Sequence, residues 1–236
     1  MASHPTADAH VPVMLAEVLE ALSPTDGGVY VDGTFGAGGY TAGILEAARC
    51  TVWAIDRDPQ AIARGEAMAP KYDGRLRLIH GSFGDIASLM QDHAAQPVNG
   101  AVLDLGVSSP QLADPARGFS FQLDGPLDMR MSATGITAAD VLSSQPEGEL
   151  AKIFFTLGEE RHARRIAKAV CEARLDAPIE RTLRLVEIIS GAVPKKAPRS
   201  GVKSIHPATR TFQALRIFVN DEIGELRRGL AGAEKY

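Results

Sequence analysis

The residues best suited to chemistry lie at the ends of short β-prone runs. Asp32 closes Val29–Val31, Asp56 closes Thr51–Ile55, and Asp104 ends a run that begins at Ala101. Between the first two runs stands a glycine-rich turn, Gly33–Gly39, with Gly36, Gly38 and Gly39 spaced so that backbone can approach a ligand and helix N–H groups can point at it. Asp56 lies 18 residues beyond Gly38, where a carboxylate can accept both hydrogen bonds from the hydroxyls of a ribose. Phe83 follows a third run with Gly81 and Ser82 before it, and offers an aromatic face to an adenine ring. Each has a plainer reading: the glycines make a turn, Asp56 caps the next helix, and Phe83 is a core aromatic.

The glycine pattern narrows the ligand. The dinucleotide fingerprint G-x-G-x-x-G does not complete from Gly36 or from Gly38, whereas Asp32-Gly33-Thr34-Phe35-Gly36-Ala37-Gly38 resembles the first motif of class I methyltransferases. Asp104, Ser109 and Pro110, within Leu103–Leu112, are the candidates for the reacting site, as a partial match to the short polar-Pro motif of amino-methylating enzymes. An exocyclic cytosine amine is a poor nucleophile because its lone pair is delocalised into the ring. Accepting hydrogen bonds from it favours a pyramidal nitrogen aimed at a methyl donor, so orientation and charge placement supply the rate without metal or covalent intermediate.

The elements that must hold these residues alternate. Helical stretches at Tyr40–Ala48, Pro59–Met68 and from Phe83 to about Gln91 separate strands at Val29, Thr51, Arg75 and Ala101. That rhythm predicts an α/β doubly wound parallel sheet of the class I, Rossmann-like methyltransferase kind, with strands ordered 3-2-1-4 and ligands at the carboxyl ends. After Pro110 the rhythm breaks into a Gly/Pro/Asp-rich loop to Thr134 and then helices to about Ala192. The expected organisation is a discontinuous cofactor domain, 10–111 with 206–236, carrying a helical substrate-recognition insertion, 112–205. A long helix from Ala208, with Phe212, Leu215, Val219, Ile223 and Leu226 on one stripe, is expected to dock on the sheet.

Two cysteines are too few for a disulfide framework or a cysteine zinc site, no apolar run is long enough to span a bilayer, and Met1–His10 lacks a signal-peptide layout. A soluble cytoplasmic protein is expected, with neither metal nor membrane partner. The net charge of −4 conceals an asymmetry: residues 161–216 hold 13 Lys+Arg against 4 Asp+Glu, and the remainder 12 against 25. Arg161, Arg164, Arg165, Lys168, Lys195, Lys196, Arg199 and Lys203 form a candidate surface for RNA phosphates; a solvated helix face is the plainer alternative.

Seven segments together carry a specific resemblance: Asp32–Gly39, Ala54–Ala61, Leu103–Leu112, Arg117–Phe121, Asp124–Met131, Gly158–Arg161 and His206–Arg216. From about His10 to Tyr236 the chain resembles the RsmH (MraW) family of 16S ribosomal RNA cytosine-N4 methyltransferases. The resemblance implies S-adenosyl-L-methionine as cofactor and, as substrate, a cytidine in the decoding region of 16S rRNA or of the small ribosomal subunit. It carries cofactor contacts onto Gly38, Gly39, Tyr40, Asp56, Phe83, Asp104 and Gln111. Tyr40 stands where many relatives have histidine, so the contact that carries over there is the backbone's. The family pattern also continues past this point with more strands. The chain is therefore expected to be shortened, its fourth strand an open edge that invites a homodimer.

Three rivals remain at this level. A nicotinamide-dependent oxidoreductase is disfavoured by the incomplete dinucleotide pattern. A small-molecule methyltransferase would have no use for the basic insertion. A binding module with a relic cofactor fold is disfavoured by the acidic residues at three strand ends.

Overall fold

Four short strands rich in β-branched and aromatic residues pair side by side into one parallel sheet: β1 (Val29–Asp32), β2 (Thr51–Asp56), β3 (Leu76–His80) and β4 (Gly100–Val102). Their order is β3-β2-β1-β4, as the alternating pattern predicts. Val31 pairs with Trp53 on one side and Ala101 on the other, and Ile55 pairs with Ile79. The structure is a computed structural model and describes residues 12–93, 97–194 and 205–235. Lys195, Lys196, Arg199 and Lys203 lie outside the described residues.

Helices cover both faces, as crossover connections between parallel strands require. They are α1 (Leu15–Leu22), α2 (Gly39–Ala47), α3 (Pro59–Met68) and α4 (Ile86–His93). Alternate strand residues serve opposite layers: Tyr30, Val52, Ala54 and Leu76 pack with Ile44 and Leu45 of α2, whereas Val31, Ile55 and Ile79 pack with Ile86 and Met90 of α4. At α3, Pro59 occupies the first turn as the sequence suggests, and the cap is Asp58, which accepts from Gln60 N–H, rather than Asp56.

The remaining helices are α5 (Ser109–Ala113), α6 (Ala138–Ser144), α7 (Glu147–Gly158), α8 (Ala163–Asp176), α9 (Thr182–Ala192), α10 (Thr209–Val219) and α11 (Glu222–Ala233). Among the described residues beyond β4 the only strand-like pairing is an isolated bridge between Pro126 and Arg181. No helix among the described residues is long and apolar enough to cross a membrane.

The chain divides into two compact units, Met1–Ser109 with Ile223–Tyr236, and Pro110–Glu222. This corrects the expected return at residue 206. The long helix read from Ala208 is two helices, and only the second belongs with the sheet. α10 stays in the second unit, packed on α7 so closely that a Cβ at Gly158 would stand 2.9 Å from Ala214 Cβ. The break has a local cause. Asn220, buried, donates from its side chain to Met129 O and Arg216 O and accepts from Met131 N–H, and Asp221 turns left-handed at φ 46°.

A second correction concerns β4. The run expected to reach Asp104 as strand ends at Val102: among the described residues β4 pairs only with β1, and the last pair is Asp32 with Val102. Gly33 N–H takes Val102 O, and the chain is then free to turn.

Candidate functional site

The carboxyl ends of β1, β2 and β4 are tied together by the turn that follows β1. Asp32, fully buried, accepts from Thr34 N–H at 3.1 Å and from Thr41 Oγ1 at 2.7 Å, fixing both ends of the glycine-rich turn. Burial pushes its carboxyl up to about 6, against the lowering effect of those hydrogen bonds. Gly36 and Gly38 sit at φ 53° and 83°, in the left-handed region that glycine adopts without cost. A Cβ on Gly38 would also stand 2.8 Å from the Phe35 ring and 3.0 Å from Met68 Cε.

Asp56 closes this turn from the second strand. Its Oδ2 accepts from Gly36 N–H at 2.7 Å and its Oδ1 from Asp58 N–H at 2.8 Å. Each oxygen keeps a further lone pair, so the group can still accept from a ligand diol. Burial raises its pKa, and the two backbone N–H groups and the Arg64 charge pull the other way. Arg64 grips the turn itself, donating from Nε and Nη2 to Gly36 O.

Immediately after the turn, α2 begins without a side-chain cap, Gly38 standing at its N-cap position. Amides of a first helical turn have no partner within the helix, and they carry the positive end of its dipole. Here they adjoin the glycine turn, so a carboxylate is the natural occupant. A nucleoside with hydroxyls for Asp56 and a carboxylate for the start of α2 fits this edge.

Asp104 lies two residues beyond β4 with its side chain exposed, and its N–H donates to Thr34 Oγ1 at 2.7 Å. The segment after it returns over the glycine turn: a Cβ on Gly36 would stand 3.4 Å from Ser108 Cβ. Tyr40 is buried against the same edge. Burial raises the pKa of its phenol, the Asp104 charge adds to the rise, and a hydrogen bond with the Met14 backbone opposes it.

The sequence model of the MraW methylase family matches residues 7–236 of this chain. The chain belongs to the MraW methylase family. Among its relatives, the ribosomal RNA small subunit methyltransferase H of Rhodospirillum centenum is 58% identical over 226 residues, 96% of this chain and 67% of that protein. Proteins of the same name from Parvibaculum lavamentivorans and Granulibacter bethesdensis are each 57% identical, over 97% and 98% of this chain and 66% and 68% of their own lengths. The chain thus spans about two thirds of the length of these relatives.

In this MraW-family chain, Gly38, Gly39, Tyr40, Asp56, Phe83 and Asp104 all belong to the first unit. Ser109 is its last residue and opens α5; Pro110 and the buried Gln111 belong to the second. In α8, Arg164, Arg165 and Lys168 are exposed while Ile166, Ala167 and Val170 are buried, matching the two faces read from the spacing. Arg161 is exposed too, but lies in the turn before the helix rather than on it.

Three residues that shape this edge were missed by sequence reading. Thr34 looked like filler between glycines, although a hydroxyl beside a strand end is a signal for backbone anchoring. Arg64 lies within α3, and nothing local points it at Gly36. Glu225 stands on α11, and its Oε2 accepts from Ser82 Oγ–H and from Gly84 N–H.

Proposed function

We propose that this chain carries the methyl-transferring machinery of a ribosomal RNA methyltransferase that uses S-adenosyl-L-methionine to methylate the N4 amino group of a cytidine in the decoding region of 16S rRNA. The observation that carries this reading is the pairing of the Asp56 carboxylate, across one glycine turn, with the start of α2, where Gly38 supplies no side-chain cap, in a chain whose family is a methylase family. Its relatives' names supply the substrate class, small-subunit ribosomal RNA.

When bound, the cofactor supplies an electrophilic methyl group on a sulfonium. The residues do the rest by holding and orienting. Asp56 accepts from the ribose hydroxyls, the amides of Gly39 and Tyr40 receive the carboxylate, and Phe83 packs against the adenine ring. Gln111 is a further cofactor contact in this reading. Asp104 accepts a hydrogen bond from the cytosine amine and draws its lone pair out of conjugation, with Ser109 and Pro110 bounding the same approach. An amine that gives up its proton only after the methyl arrives needs orientation more than a strong base.

RNA is held by charge. Arg164, Arg165 and Lys168 form an exposed basic face on α8 with Arg161 beside it, and of these only Lys168 has an ion-pair partner among the described residues, Glu172 at 3.8 Å. The test is incubation of the chain with methyl-labelled S-adenosylmethionine and either naked 16S RNA or small subunits, followed by nucleoside mass spectrometry. N4-methylcytidine at one decoding-region position supports the reading. Label at another amino group redirects the specificity, and no label with either substrate overturns the activity for this chain.

A further inference from the structure

Phe83 is bracketed by one carboxylate. The residue before it donates through Ser82 Oγ–H and the residue after it through Gly84 N–H, both to Oε2 of Glu225, whose other oxygen accepts from Arg228 at 2.8 Å. The Glu225 side chain is only 13% exposed, so these bonds are made largely out of water, where a charged acceptor is strongest. The same helix also meets the ring. A Cβ at Gly229 would stand 2.7 Å from Phe83 Cδ2, one turn along α11 from Glu225. A Cβ at Gly84 would collide with the Glu225 carboxylate. One turn further, a Cβ at Gly232 would stand 2.7 Å from Ile86 Cγ2. Glycines at 229 and 232 and a half-buried acid at 225 thus make the face of α11 that seats the loop after β3.

We infer that Glu225 is a positioning residue for cofactor binding: it clamps both sides of Phe83 and thereby fixes the aromatic face against which the adenine packs. This rests on the reading of Phe83 given above. Five residues join β3 to α4, and Phe83 opens a single 3-10 turn among them, 8% exposed. β3 ends at His80, and α4 begins only at Ile86. The clamp adds no contact to the ligand and acts through the ring.

The test is a double-mutant cycle on S-adenosylhomocysteine affinity by calorimetry, with Asp56→Ala as reference. Glu225→Ala is expected to weaken binding about tenfold, the scale of losing hydrogen bonds to a charged acceptor. Glu225→Gln, which keeps an acceptor oxygen for Ser82 and Gly84, recovers most of the loss. In a Phe83→Leu background Glu225→Ala has little further effect, because the ring through which it acts is gone. Equal losses in both backgrounds would mean that Glu225 supports the fold generally, and would overturn the inference. If Glu225→Ala does not fold, Ser82→Ala breaks one arm of the same clamp and takes its place in the cycle. Weakening by Asp56→Ala with none by Glu225→Ala overturns this inference alone. Binding untouched by Asp56→Ala removes the reading of the site and this inference with it.

Discussion

Gly36 N–H donates to Asp56 Oδ2 at 2.7 Å, so the glycine turn and the acid at the end of β2 are one unit of structure before any ligand arrives. Removing the acid therefore costs twice, once in ligand contact and once in preorganisation of the turn. Asp56→Ala is expected to weaken S-adenosylmethionine binding by roughly 2–3 kcal/mol. Asparagine recovers part at most, since its NH2 must face one of the two backbone N–H donors. Calorimetry on folded variants reads this directly, and an unchanged dissociation constant removes Asp56 from the site.

Asp32 predicts a pH signature of stability. Its folded pKa, about 6, lies above the ordinary value of 3.8, so the folded state holds the proton more tightly than the unfolded chain. The stabilisation from that proton is full below pH 3.8 and is lost as the pH rises through 6, an amount of about 3 kcal/mol for a shift of this size. Asp32→Asn can keep both partners, accepting from Thr34 N–H and donating to Thr41 Oγ1. Urea unfolding at pH 4 and pH 7.5 should show the wild type losing about 2.4 kcal/mol relative to Asp32→Asn, the unfolded carboxyl being already partly ionised at pH 4. Parallel pH profiles for the two proteins would contradict the buried titration.

Asp104 is exposed, and its anchor is its own backbone N–H on Thr34 Oγ1. Asp104→Ala should therefore change stability by no more than about 0.5 kcal/mol, as exposed substitutions do, while slowing methyl transfer on the order of a hundredfold. Single-turnover rates at saturating cofactor and RNA separate the two effects. A mutant with wild-type turnover ends the proposed contact with the amine.

Charge reversal of Arg164 and Arg165 on α8 should weaken RNA binding and lower the slope of log affinity against log salt by about 2, one for each phosphate that is no longer neutralised. Cofactor affinity should not move. An unaltered RNA isotherm would make this face a solvated one.

Much of the fold is legible in the residues because strands and helices here obey simple periods. Val29–Asp32, Thr51–Asp56 and Leu76–His80 alternate between two apolar layers and end at polar groups, so their number and order could be read. What could not be read depends on contacts distant in sequence. The stripe from Phe212 to Leu226 runs in phase through Asn220 and Asp221, so periodicity reports one helix. The break arises because the Asn220 side chain is needed by the backbone at Met129 and Met131. Glu225 likewise reads as an ordinary surface acid of an amphipathic helix until β3 and its loop are in place. Within the site, the acids and glycines announced themselves by type and spacing, whereas Thr34 and Arg64 work by reaching backbone, which leaves no pattern.

The clamp on Phe83 joins residues 143 positions apart in the chain, and the whole second unit lies between them. Closing so long a loop from an unfolded chain is entropically costly and slow, but a folded intervening unit presents its two ends as fixed points and shortens the search. Assembly is therefore ordered. The strands are made first, and the loop after β3 takes its final seat only when α11, which follows the whole second unit in the chain, docks on it. A second unit that folds slowly leaves that loop long, and so slows the closure that seats Phe83.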